Sequence, residues 1–223
     1  MKFKPEPVKL LKSLWRNNKG FLVFLLLMFA FRSAIADWNI VPSESMLPTI
    51  EKGDRIWVNK LAYDVQVPFF YYSLYRHHNP KRGDVIVFES EVSELRLVKR
   101  VVAVPGDTIA MDANQVWLNG NPLPYTIEAN SNTETVLLEN LGDIQHLIRL
   151  DKQRPSILSS FSEIPIPKDF YFVLGDNRDN SNDSRFISLV PRDEIIGRAT
   201  TVVMSHDYDN HYLPKDNRYF LPL

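Results

Sequence analysis

The chain contains no cysteine, which excludes disulfide bridges and thiolate metal sites and leaves its redox compartment open. It carries almost no net charge: 26 basic side chains stand against 27 acidic ones. No basic stripe interleaved with aromatics runs through its body, so no nucleic-acid partner is expected. Internal repeats, low-complexity tracts and long amphipathic helices are also missing. What is present is a 44% hydrophobic and 24% charged composition over 223 residues, enough to bury a core and too apolar for wholesale disorder.

The charge that exists is unevenly placed. Lys2, Lys4, Lys9, Lys12, Arg16 and Lys19 face the single acid Glu6, and Phe21–Phe31 then runs without a polar residue. Residues 20–36 would make a helix of about 25 Å, the short end of a membrane span. Trp15 and Trp38 bracket it, and Arg32 is near enough to the far end to snorkel to headgroups. Basic residues on the N-terminal side predict a cytoplasmic segment 1–19, an anchor 20–36 and a body 37–223 on the opposite face. Ala34-Ile35-Ala36 has the small-x-small form of a secretory cleavage site. The length of the apolar run and the extended basic flank favour an uncleaved anchor.

Beyond the anchor the sequence reads as mainly β. Arg55–Val58, Asp84–Phe88, Leu95–Val104, Val116–Leu118, Phe170–Leu174 and Ile195–Met204 are short runs rich in β-branched and aromatic residues, separated by Pro and Gly. Asn119-Gly120 predicts a tight hairpin turn. Thr126–Phe161 is polar, reads as irregular and resembles an insertion. The aromatic stretch 69–75 fits either a core strand or a loop dipping into a membrane surface.

Three islands carry chemistry: Val41–Thr49, Leu97–Asp107 and Gly175–Arg185. Lys99 stands in an apolar run, where Leu95, Leu97, Lys99, Val101 and Ala103 share one strand face. A lysine there must be paired, must reach water, or must give up its proton, and a neutral amine is a usable general base. Ser45 by itself reads equally well as a turn serine before Pro48. None of His77, His78, His146, His206 and His211 lies in an island, so a histidine-based triad has no obvious member, whereas a Ser-Lys pair needs none. The third island is dense in Asp, Asn, Ser and Arg but lacks EF-hand spacing, so no metal and no cofactor are expected.

Taken in order, these islands resemble the signature boxes of the bacterial type I signal peptidases. Pro42-Ser43-Glu44-Ser45-Met46-Leu47-Pro48-Thr49 is similar to the box holding the family's nucleophile, and Gly53–Val58 to the strand after it. Lys81–Phe88, Lys99–Asp107 and Gly175–Arg185 are similar to the remaining boxes. The likeness runs from the anchor to about Met204. It implies a signal-peptidase/repressor-peptidase-like fold of antiparallel β-sheets with an N-terminal transmembrane helix and a small inserted β-subdomain at about 112–166. It also implies Ser45 as nucleophile and Lys99 as base. The Ser45 N–H and Ser43 hydroxyl would form the oxyanion hole, and Ser181 would orient the Lys99 amine. Asp183 and Arg185 would form a supporting salt bridge, with Asp176 and Arg178 also holding the site. Val41, Ile56, Val87 and Val98 fall where the family lines its substrate pockets. Glu44 and Ser188 stand where relatives often have glycine.

The implied activity is removal of signal peptides from exported preproteins after small-x-small sites. The implied setting is the bacterial plasma membrane, single-pass, with membrane lipid as the other partner and the enzyme a monomer. Two alternatives stand beside it: a Ser-Lys maturation peptidase dedicated to one conjugation or pilus substrate, and a catalytically idle membrane-bound binding protein of the same fold.

Overall fold

The computed structural model describes residues 18–29, 33, 36–67, 73–208 and 210–223. Among these the architecture is mainly β, with every strand pair in the sheets antiparallel. In the largest sheet the strands Ala36–Ile40, Asp54–Asn59, Ile195–Asp207, Val85–Ser90, Leu95–Ala103, Phe170–Leu174 and Val190–Pro191 lie side by side in that order. Two short strands near the C-terminus, Leu213–Pro214 and Leu221–Pro222, also pair with Ile195–Asp207. Each run read as a strand from the sequence lies on one, with shifts only at the ends.

Period-two alternation explains how this sheet is covered on both faces. Along Val85–Phe88, Val85 and Val87 join Val41, Met46, Ile50, Ile56, Val58 and Val202 in one apolar cluster. Ile86 and Phe88 join Val101, Tyr171, Val173 and Ile195 in another. Each such side chain, fully buried, stabilises the fold by roughly 1.5–3 kcal/mol. Val85–Phe88 is therefore a continuous apolar run, and a buried charged residue on the neighbouring strand, such as Lys99, stands out.

Strands Thr108–Asp112, Gln115–Leu118, Asn121–Pro122 and Phe161–Pro165 form a second sheet, and Tyr125–Asn130, Glu134–Asn140 and Gln145–Asp151 a third. The Asn119-Gly120 turn joins two paired strands with φ of +52° and +76°, the left-handed pair that an Asn-Gly hairpin turn demands. Much of Thr126–Phe161, read as irregular, is instead this regular three-stranded meander. Its polarity misleads because Tyr125–Asn130 is solvent-exposed along nearly its whole length, while Glu139, His146 and Ile148 on its neighbours are buried.

Near the N-terminus residues 18–29 are helical, and Phe21, Phe24, Leu26 and Leu27 are each about three-fifths exposed. The expected span 20–36 lies only partly within the described residues, and among these no helix is long and apolar enough to cross a membrane. Ala36, the last residue of the expected span, is buried and opens the first strand, paired with Asn59. The Lys60 ammonium ties the approach to that strand by donating to the Ser33 carbonyl at 3.0 Å. Ala34 and Ile35 of the small-x-small motif lie outside the described residues, as do Phe69–Tyr72 of the aromatic stretch. Its described part, Ser73–Tyr75, lies on the strand Ser73–Arg76, which pairs with Asp64–Gln66 and exposes Leu74 and Tyr75, so those two residues are not core.

Candidate active site

Lys99 projects from the long strand Leu95–Ala103 with Leu95 and Leu97, and all three face one open cleft of about 700 Å3. The loop Pro42–Ser45 forms the cleft's opposite wall, and residues 179–182 with Phe186 complete it. The Lys99 amine is 2.8 Å from the Ser45 Oγ and also donates to its neighbour's carbonyl, Val98 O, at 2.9 Å. The Ser43 Oγ is 3.3 Å from the Ser45 Oγ. Lys99 is only 2% exposed. Burial pushes its ammonium down to a pKa of about 8, and the charges of Asp183 and Asp176 hold it from falling further. The site thus pairs a hydroxyl with an amine that sheds its proton near neutrality.

The third island wraps beneath this pair. Asp183 takes the Arg185 guanidinium on both oxygens and accepts the Gly175 N–H at 3.0 Å, so the expected Asp183–Arg185 bridge is present and buried. Asp176 and Arg178 flank Asn177, and neither pairs with the other. Asp176 accepts from Arg100 at 2.9 and 2.7 Å and from Thr49 Oγ1 at 2.6 Å. Burial works to raise its pKa, but Arg100 overcomes this and keeps Asp176 below the ordinary carboxylate range. Arg178 pairs with Glu139 from the three-stranded meander, 2.5 Å away. His146 Nε2 lies 3.2 Å from the same Glu139 and 3.7 Å from Asp176. Against the same burial cost, Arg178 and His146 depress Glu139 far below its usual value.

Two positions explain residue choices in this loop. A Cβ on Gly175 would stand 2.2 Å from the Ser181 Oγ and 2.4 Å from the Ser45 carbonyl, so only glycine lets the loop approach the serine. Ser188, where relatives often have glycine, sits at φ +69°, a backbone conformation that glycine adopts without strain. Glu44, the other departure, is exposed on the rim of the cleft.

Ser181 lines the cleft, yet its buried Oγ has no hydrogen-bond partner, while the Lys99 amine donates to Ser45 Oγ and Val98 O. Val41, Ile56 and Val87 are buried in one apolar cluster, with Val98 packed against it, and none of the four lines the cleft. Val98 alternates with Leu97 and Lys99 and so points to the opposite face of its strand. Leu95, Leu97 and Phe186 supply apolar lining to the cleft. Sequence reasoning gave no role to Arg100, Thr49, Glu139 or His146. Glu139 carried a usable signal, since an acid ending the apolar run Val136-Leu137-Leu138 poses the same burial problem as Lys99.

Fold and site together define a β-rich protein with a serine hydroxyl bonded to a buried, easily neutralised lysine in an open cleft, the arrangement of a Ser-Lys hydrolase. Residues 14–204 match the sequence profile of the family described as Signal peptidase, peptidase S26. The chain belongs to that family, whose members are typically membrane proteins. It is similar to signal peptidase I of Pseudomonas aeruginosa, at 35% identity over 84% of this chain and 72% of the relative. It is likewise similar to signal peptidase I P of Bacillus subtilis subsp. natto, at 33% identity over 86% of this chain and 90% of the relative. A crystal structure of a signal peptidase I from Enterococcus faecalis matches 55% of this chain and 98% of its own at 25% identity. The TM-score of that match is 0.37. The activity is accordingly that of signal peptidase I, a serine peptidase with preproteins as substrates.

Proposed function

We propose that the chain cuts exported preproteins after small-x-small sites at the outer face of the membrane, with Ser45 as nucleophile and Lys99 as general base. The observation that carries this reading is the 2.8 Å contact between the Lys99 amine and the Ser45 hydroxyl in a buried setting. In the reaction the neutral amine takes the Ser45 proton as Oγ bonds to the scissile carbonyl carbon, and the carbonyl electrons move onto oxygen. The Ser45 N–H and Ser43 hydroxyl steady that oxyanion, each donor worth about 3 kcal/mol. The ammonium then passes its proton to the departing amine as the C–N bond breaks, which leaves an acyl-Ser45 ester. The amine, neutral again, takes a proton from water as it attacks the ester and returns one to the Ser45 oxygen. Leu95, Leu97 and Phe186 are the apolar surfaces offered to the substrate's small side chains.

Several features support the setting. The exposed apolar faces of helix 18–29 match an anchor, and its basic flank matches a cytoplasmic N-terminus. The chain between Ala36 and Ser45 spans only about 30 Å even if fully extended, which keeps the cleft near the anchor. A single-pass enzyme of the bacterial plasma membrane fits these features.

Ser45→Ala should abolish cleavage while leaving the melting curve unchanged. The wild-type enzyme in lipid should process several unrelated preproteins at small-x-small sites, read by mass spectrometry of the new N-termini. Cleavage by the Ser45→Ala enzyme would refute the nucleophile, and processing of one preprotein alone would point to a dedicated enzyme. The pH profile tests the base. Because the active form is the neutral amine, kcat/KM should rise tenfold per pH unit below about 8 and level off above it. A rate already flat from pH 6 upward would exclude Lys99 as the base.

A further inference from the structure

Asn177 lies between the two buried ion pairs and touches neither Ser45 Oγ nor Lys99. Its carbonyl accepts from the Asn180 N–H at 3.1 Å, and its two donor groups both go to the nucleophile's backbone. Its N–H donates to the Ser45 carbonyl at 3.1 Å, and its side-chain Nδ2 donates to the Glu44 carbonyl at 3.0 Å. The Glu44 carbonyl belongs to the same planar peptide unit as the Ser45 N–H. A donor fixed on that oxygen fixes the direction of that N–H as well, and polarises the peptide so that the N–H donates more strongly.

We infer that Asn177 is a positioning residue for the reaction, aiming the Ser45 N–H at the oxyanion through its hydrogen bond to the Glu44 carbonyl. The inference rests on the Ser45 reading above. The surroundings hold Asn177 in place from several directions. It is 2% exposed, Asp176 on one side is clamped by Arg100 and Thr49, and Arg178 on the other is clamped by Glu139. Its backbone runs beside Arg149 of the meander: the Arg149 N–H donates to the Asp176 carbonyl at 2.8 Å and the Arg178 N–H to the Arg149 carbonyl at 3.0 Å. These bonds are made by backbone and by other side chains, so they survive a change of the Asn177 side chain. The peptide that a preorganised oxyanion hole needs rigid is the one this side chain grips.

The test is steady-state kinetics on a preprotein peptide with the full chain in detergent or lipid. Asn177→Asp keeps the shape and removes the donor, while Asn177→Ala removes the side chain. Both should lower kcat about 10- to 100-fold, short of the full loss of an oxyanion donor, with KM within twofold and the melting curve retained. If Asn177→Asp does not fold, Asn177→Ala carries the same measurement. A kcat within twofold of wild type, or a loss confined to KM, overturns the inference. The two readings fail separately: full activity in the Asn177 variants beside a dead Ser45→Ala enzyme removes only the role of Asn177, whereas an active Ser45→Ala enzyme removes the nucleophile itself.

Discussion

Lys99→Met should abolish cleavage and, at pH 7, leave a protein more stable than the wild type by roughly 3 kcal/mol. Both effects have one origin. The amine is buried, and its pKa is lowered from the 10.5 of a free lysine to about 8. Below pH 8 both folded and unfolded chains carry the proton, and the folded chain bears the full cost of an ammonium out of water. Between about 8 and 10.5 the unfolded chain binds the proton more than the folded one, so wild-type stability rises with pH across that window. Above it the cost is gone. A shift of this size corresponds to roughly 3 kcal/mol at about 1.4 kcal/mol per unit. Methionine fills a similar volume without charge. Urea unfolding at pH 7 and at pH 10.5 measures it: the advantage of the variant should be large at the first and nearly absent at the second. Equal stabilities at pH 7 would mean that Lys99 pays no burial cost in the folded protein. The activity loss follows from removing the base and should exceed about a thousandfold.

Glu139→Leu should cost 3–5 kcal/mol and reduce turnover, although Glu139 lies far from the islands in sequence. Arg178 is 1% exposed and its partner is Glu139, itself 0% exposed. Removing the carboxylate leaves a buried guanidinium without compensation, the most expensive way to break an ion pair. Turnover suffers because Arg178 and Asp176 bracket Asn177, which holds the Ser45 backbone. Removing both charges together, as Glu139→Leu with Arg178→Met, should return most of the stability, since no lone charge stays buried. Denaturant midpoints for the single and double variants check this. A single variant within 1 kcal/mol of wild type would show that the pair does not hold the loop.

These two residues illustrate what could be read before any coordinates. Lys99 and Glu139 both interrupt apolar runs, and in both cases the interruption marks a buried charge with a partner. For Lys99 the candidate partner sat in a short polar motif, Ser43–Ser45, that restricts the choice. For Glu139 no local pattern named Arg178, because the pairing joins a meander strand to a loop after Leu174. Polarity misled in the same region, since an exposed sheet strand and an irregular loop have similar compositions. Val41, Ile56, Val87 and Val98 show a different limit of local pattern: a strand sequence tells that a side chain is covered, but not whether core or ligand covers it.

The sequence by itself determined the mainly β architecture, the apolar N-terminal segment with its basic flank, the absence of any thiolate chemistry, and the serine, lysine and Asp-Asn-Arg loop as the groups to watch. Those features depend on periodicity, composition and contiguous motifs, which are local. Only the tertiary structure decided that Lys99 reaches Ser45 at 2.8 Å, that Asp176 answers to Arg100 and Arg178 to Glu139, that Ser181 Oγ is buried without a hydrogen-bond partner, and that Leu95, Leu97 and Phe186 line the cleft. Each of those depends on which strands lie beside one another and which face they turn. Burial then settles the rest, because a charge taken out of water must find its partner wherever the chain brings one.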